Sequence, residues 1–300
     1  MRLSGTLLCV GSAAGFGAMG VLGKLAYDDG ATVGTLLAVR FTLAAALFWA
    51  LVFASGSAGE IRALRRGDLG TALALGAVGY AAQAGLYFAA LDRIDASLLA
   101  LLVYTYPAMV AVAAIALGRE RADARRLPAL ALASGGLLLV LASAGAGAFE
   151  PLGATLAIGA AVVYTTYILV SEGVAGRMRP TLLAAIVCSG AALSLTLGSA
   201  LVGDLRPGDV TAENWGWLAA LAVVSTVAAV SMFFAGLKRV GPTTASILST
   251  VEPVVAVLLA FLVFREVLGP LQLVGGALVI VAVLLLGSYR PRPKIEGAAA

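Results

Sequence analysis

Histidine is missing from the chain, and with it go the commonest proton shuttle and the commonest metal ligand. No HExxH motif can exist, no GxSxG nucleophile elbow occurs, and no GxxxxGKS or GxxxxGKT phosphate loop is present. These absences remove the familiar zinc and serine intramembrane enzymes and the ATP-driven pumps, so the chain is read as a non-enzyme with no cofactor and no metal. Cysteine is nearly absent too. Cys9 and Cys188 both fall in apolar stretches, as small buried hydrophobes do, and suit neither a disulfide nor a metal pair. Charged residues make up only 12% of the chain against 61% hydrophobic, and the mean hydropathy is +1.01. A chain with so little charge needs lipid as its solvent.

What the sequence has instead is a series of apolar stretches of about 20 residues, each long enough for a helix to cross roughly 30 Å of hydrocarbon. They lie near 6–26, 32–54, 69–91, 96–117, 128–144, 152–171, 181–202, 214–236, 244–264 and 270–289. Short alternating segments, the mark of a membrane β-barrel, do not occur. The expectation is an all-α membrane protein of ten transmembrane helices. The small-residue first span, preceded by Arg2, has the look of a signal peptide, but the internal repeat described next argues that it is retained.

The chain repeats itself. A shift of 146 residues sets TLLAVRFTLAAAL (35–47) on TLLAAIVCSGAAL (181–193) with 7 of 13 positions identical. The same shift pairs Phe88, Ala89, Leu91 and Arg93 with Phe234, Ala235, Leu237 and Arg239, and Pro107, Arg119 and Glu120 with Pro253, Arg265 and Glu266. Coincidence of uncommon residues at one register marks a true repeat. We therefore divide the chain into repeats over 3–146 and 149–290, with a basic tail over 291–300. Five spans per repeat is an odd number, so the second half enters the membrane from the opposite side. Two inverted five-helix repeats around a central cavity are expected, an arrangement typical of secondary transporters.

Most of the 20 cations fall in the loops of one side: Arg2, then Arg62, Arg65 and Arg66, then Arg119, Arg121, Arg125 and Arg126, then Arg177 and Arg179, Lys238 and Arg239, and Arg290, Arg292 and Lys294. The positive-inside rule places that side, and both termini, in the cytoplasm, as an even span count also requires. An inner (plasma) membrane location follows, with the bilayer as one partner and a small-molecule substrate as the other. The loop cations explain the basic pI, so no nucleic-acid partner is expected. A monomer and a homodimer are both compatible with the sequence.

Residues 246–266, SILSTVEPVVAVLLAFLVFRE, followed by GPLQLVGGALVIVAVLLL, together with LLVYTYPAMVAVAAIALGRE (101–120) and VRF (39–41), resemble the drug/metabolite transporter superfamily, in particular its EamA-type ten-span exporters. The first-half proline follows Tyr106 where the second follows Glu252. The resemblance implies a substrate-exporting carrier without ATPase machinery, and YddG-like amino-acid exporters are one subgroup it points to.

Arg40 and Glu252 are the charges deepest in their spans, and each must be compensated. They enter from opposite faces to depths close enough for their side chains to meet, so they form either a substrate site or a fixed ion pair. Pro107 and Pro253 fall within the fourth and ninth spans, as gating hinges or static kinks. Tyr80, Gln83 and Tyr87 share one face of the third span, Tyr164, Tyr167 and Ser171 one face of the sixth, with Phe16 and Met19 their counterparts in the first. Tyr104, Ser246 and Ser249 complete a mixed aromatic and polar cavity, to which Thr165 and Thr250 also tilt. Lys24 is expected to snorkel as an anchor, and Trp49, Trp215 and Trp217 to sit in the interfacial belts. The working expectation is alternating-access export of small amphipathic metabolites, amino acids foremost. Drugs, sugars and other metabolites are the alternative cargo, and a passive channel is the rival class.

Overall fold

Apolar stretches this long satisfy their backbone only as helices when water is absent. The computed structural model describes residues 2–56, 58–118, 126–143, 150–175, 177–240, 248–249 and 251–287, and every regular element among them is a helix. Among the described residues, seven spans are long and apolar enough to cross a membrane: Leu3–Asp28, Val33–Ala54, Arg66–Leu91, Ala96–Ala116, Pro151–Ser171, Pro180–Leu201 and Ala212–Leu237. Three further apolar helices, Arg126–Ser143, Val251–Phe264 and Pro270–Gly287, bring the number to ten, the fifth, ninth and tenth in chain order. Large apolar side chains such as Leu47, Leu51, Leu193, Leu197, Leu258 and Leu262 face outward while Arg40 is buried, the reverse of a water-soluble surface.

The helix pairings carry the symmetry of the repeat. The second span packs on the seventh and the fifth on the tenth; the first packs on the eighth and ninth, as the sixth packs on the third and fourth. Exchanging the two halves reproduces that pattern, which is what a pseudo-two-fold axis does. Spans joined by short loops alternate in direction, so the first and sixth run oppositely and the axis lies in the membrane plane.

Four spans are not plain α-helices. The first is irregular at Ala18, between Arg2–Gly17 and Met19–Asp28, although Ala18 N still donates to Ala14 O and Leu22 N to Ala18 O, each at 3.0 Å. The third and eighth contain π-helical turns, Leu75–Tyr80 and Val223–Ala228, in corresponding places of the two halves. The fourth breaks at Tyr104 and Thr105, where the Thr105 hydroxyl donates to Leu102 O at 2.7 Å. Pro107 is therefore not inside a helix: it sits in the first turn of Tyr106–Ala116, where its missing N–H has no partner to lose. Pro253 lies within the described helix Val251–Phe264, before which residue 250 is outside the described residues.

Glycines let these helices touch. A Cβ on Gly76, in the third span, would stand 2.0 Å from Val187 O, and one on Gly190, in the seventh, 2.5 Å from Leu73 O. Backbone meets backbone there, as small residues permit in membranes. Gly76→Ala is expected to lower stability by about 2–4 kcal/mol, since no flexible side chain is available to yield. The midpoint of denaturation in mixed detergent micelles reads this out, with Gly85→Ala as the neutral control, because nothing lies within 4 Å of that position.

The two ends of the bundle differ. At the end holding the N-terminus, here the near end, loops are joined by exposed ion pairs, Arg177 to Asp68 at 2.8 Å and Arg179 to Glu60 at 2.7 Å. The far end is stitched by backbone and side-chain hydrogen bonds. Asp204 Oδ2 accepts from Gly34 N at 2.7 Å, Thr35 Oγ1 accepts from Arg206 N at 2.8 Å, and Asn214 Nδ2 donates to Ala26 O and Asp29 O at 3.0 and 3.1 Å. Trp217 Nε1 joins in, donating to Asp29 Oδ2 at 2.9 Å, while Trp215 stays exposed; toward the near end, Trp49 Nε1 donates to Ser189 Oγ at 2.9 Å.

Candidate functional site

A cavity of about 820 Å³ occupies the middle of the bundle between the two halves. It reaches the near ends of the helices at Ala114, Pro180 and Leu237, and stops short of the far ends of the first, seventh, eighth and ninth spans. The reason it stops is visible in the side chains beyond it. Lys24 pairs with Glu266 at 2.8 Å and with Asp95 at 3.4 Å. The Glu266 carboxylate also accepts from Ala96 N at 3.2 Å, from Ser97 N at 3.0 Å and from the Ser97 hydroxyl. Lys24 is thus not a free snorkelling anchor. It belongs to a clasp in which a carboxylate following the ninth span caps the N-terminus of the fourth while gripping the first.

The expected site residues converge on this cavity. Arg40 from the second span, Tyr80, Gln83 and Tyr87 from the third, Tyr104 from the fourth, Tyr164 and Tyr167 from the sixth, and Ser249 and Glu252 from the ninth all line it, as do Pro107 and Pro253. Phe16 and Met19 face it from the first span. Ser246 and Thr250 lie outside the described residues. Ser171 does not line it, and the Thr165 hydroxyl turns back to Ala161 O at 2.9 Å. Cys188 lines the cavity, while Cys9 packs where a Cβ on Gly236 would go.

Arg40 and Glu252 share the cavity without forming an ion pair with each other. The Arg40 side chain is 2% exposed. Its Nε donates to Thr226 Oγ1 at 3.0 Å, and its guanidinium carbon lies 5.0 Å from the ring centre of Phe41 and 5.3 Å from that of Phe88. Among the described residues neither Nη atom has a hydrogen-bond partner. Glu252 has no hydrogen-bond or ion-pair partner there either. Tyr87 stands within electrostatic reach of both charges.

Around these poles the phenols form a connected aromatic wall. Tyr104 meets Tyr106 at 5.9 Å between ring centres, Tyr106 meets Tyr164 at 4.6 Å, Tyr164 meets Tyr167 at 6.2 Å, Tyr167 meets Tyr80 at 5.8 Å and Tyr80 meets Phe41 at 4.9 Å. Rings from four spans are fixed by one another, while their hydroxyls and the Gln83 amide have no protein partner among the described residues. Polar groups so placed require water or a ligand. Two hydroxyl-bearing lining residues escaped the sequence reading. Tyr106 could have been found, because the repeat sets it opposite Glu252. Thr226 could not, because its role depends on a π-helical turn that no residue pattern announces.

The profile of the EamA-like transporter family matches residues 3–142 and 151–288. The chain is similar to the uncharacterized transporter YcbK of Bacillus subtilis, at 27% identity over 91% of the chain and 89% of that protein. It is also similar to an uncharacterized transporter of Archaeoglobus fulgidus, at 31% identity over 66% of the chain and 70% of that protein. A protein of known crystal structure shares the fold with a TM-score of 0.65 at 21% identity, over 95% of this chain and 97% of that one.

Proposed function

The chain belongs to the EamA-like transporter family, and from that premise we propose that it exports small zwitterionic metabolites, amino acids foremost, by alternating access. The observation that carries this reading is a cation and a carboxylate, Arg40 and Glu252, lining one cavity with no ion-pair partner for either among the described residues. An α-amino acid brings one carboxylate and one ammonium, which complement these poles, and an apolar side chain suits the phenol wall. Neither a sugar, which carries no charge, nor a simple cation uses both.

The near end is assigned to the cytoplasm, because the basic loops gather there. The cavity would then load from inside and release outward once the far-end clasp opens. The helix break before Tyr106 supplies a joint for that motion, with Pro107 in the turn that follows it and Pro253 in the ninth span on the other side of the cavity. A closed far end also favours a carrier over a passive channel. The two repeats are taken as the units that rock against each other.

Purified protein in liposomes, assayed with labelled amino acids, sugars and cationic drugs, tests the reading. Saturable amino-acid flux with counterflow is expected. Flux that rises linearly with concentration would indicate a channel, and flux confined to uncharged sugars or to cations lacking a carboxylate would overturn the substrate class.

A further inference from the structure

The anion pole of the cavity is built by both halves of the molecule. Arg40 comes from the first repeat, but the atom that aims it comes from the second: Thr226 Oγ1, on the eighth span, accepts from Nε at 3.0 Å. Thr226 is fully buried, so this hydroxyl has no water to turn to.

The geometry of Thr226 is unusual within this chain. Thr71, Thr155, Thr165 and Thr166 each donate their hydroxyl to the carbonyl four residues back, at 2.9, 2.7, 2.9 and 3.1 Å, as helical threonines do. Thr226 lies in the π-helical turn Val223–Ala228, and its hydroxyl reaches five residues back, to Leu221 O at 3.4 Å. With its proton so directed, the oxygen presents a lone pair to Arg40, and a donor-only guanidinium is the matching partner. Phe41 and Phe88 sit near the same group, and Nε is used, so the edge formed by the two Nη atoms is what remains for a ligand.

We propose that Thr226 is a positioning residue for the substrate carboxylate: by fixing Nε of Arg40 it presents the Nη edge to the cavity as a two-point receptor for a flat oxyanion. This rests on the zwitterion reading above and adds to it a second residue, contributed by the opposite repeat. A π-helical turn at this place then has a purpose, since insertion of such turns into helices accompanies functional sites. Because the bond crosses from one half to the other, substrate affinity depends on how the second and eighth spans sit together.

Liposome uptake of L-leucine, with its decarboxylated analogue 3-methylbutylamine as competitor, tests the assignment. Thr226→Val is expected to raise KM for leucine about tenfold with Vmax unchanged, the scale of a lost hydrogen bond to a charged group. Thr226→Ser, which keeps the oxygen, is expected to return KM to within about twofold of the parent. Inhibition by 3-methylbutylamine, which has no carboxylate for Arg40, should not change. A KM for Thr226→Val within twofold of the parent, or a Thr226→Ser variant no better than Thr226→Val, overturns the positioning role. The Arg40→Gln variant separates the two levels. Its failure to alter leucine KM, or the absence of leucine flux in the parent protein, removes the zwitterion reading and this inference with it, whereas a defect in Arg40→Gln with none in Thr226→Val removes the positioning role alone.

Discussion

Arg40→Gln and Glu252→Gln should each lower amino-acid flux in liposomes about a hundredfold, with both proteins still folded. Truncating one member of a desolvated charge recognition pair costs about 2–5 kcal/mol, and each 1.4 kcal/mol is a factor of ten. Arg40→Lys is expected to fail nearly as badly. An ammonium offers no Nε for Thr226 together with a two-point edge for a carboxylate, and it cannot spread its charge flat beside Phe41 and Phe88. The double variant Arg40→Gln/Glu252→Gln decides between a site and a structural ion pair. If the two charges served each other, removing both would relieve the burial of the survivor and restore stability relative to either single change. They do not pair in the structure, so the double variant should remain inactive and gain no stability over the singles. Flux at the parental level in both single variants would remove the zwitterion assignment.

The frame was more legible than the chemistry within it. Ten apolar runs and a repeat of Pro107, Arg119 and Glu120 on Pro253, Arg265 and Glu266 sufficed to foresee two halves of opposite sense, because span length and register follow from bilayer thickness and from duplicated sequence. The residues facing the cavity were also recoverable, since a phenol or an amide in an apolar helix turns inward to escape lipid, as Tyr80, Gln83 and Tyr87 do. What sequence could not supply was pairing. Arg40 was as compatible with Glu252 as with a hydroxyl, and only packing shows it held by Thr226. Lys24 read as an anchor because its partner, Glu266, is far away along the chain. Pro107 read as an interior kink, because a continuous apolar run does not reveal the place where one helix stops and another starts.

The repeat also explains where the specific chemistry sits. Symmetry sets Arg40 opposite Ile186 and Glu252 opposite Tyr106, so each half carries one charge that the other lacks. The shared pattern builds the frame, and the departures from it polarise the cavity. Identical halves would line it with like groups; here one half contributes a guanidinium and the other a carboxylate, which is the asymmetry the proposed zwitterion site uses.

Glu266→Ala is expected to open the far end. In the parent protein that carboxylate engages Lys24, the N–H groups of Ala96 and Ser97 and the Ser97 hydroxyl, so its loss detaches the residues after the ninth span from the first and fourth, leaving only the longer Lys24–Asp95 pair between those two. A cysteine at Val103, which lines the cavity, in a chain with Cys9 and Cys188 replaced by alanine, serves as reporter. A membrane-impermeant maleimide added to intact cells should label it at least about tenfold faster in the Glu266→Ala background. Equal rates in the two backgrounds would refute the closing role, and rapid labelling in both would refute the outward assignment of the far end as well. Acid should mimic the substitution. Burial pushes the Glu266 carboxyl up, but Lys24 and the Ser97 groups outweigh it and hold the carboxyl below its ordinary value. The stabilisation is therefore complete at pH values above the ordinary carboxylate range and fades only as the pH falls through the lowered one. Lys24 and Asp95 are the charged groups facing it, so once Glu266 is protonated the Lys24 ammonium keeps only its longer pairing, to Asp95 at 3.4 Å. Labelling from outside should accordingly rise toward the Glu266→Ala rate as the medium is acidified, with a thiol reagent whose reactivity is corrected for pH on a denatured control.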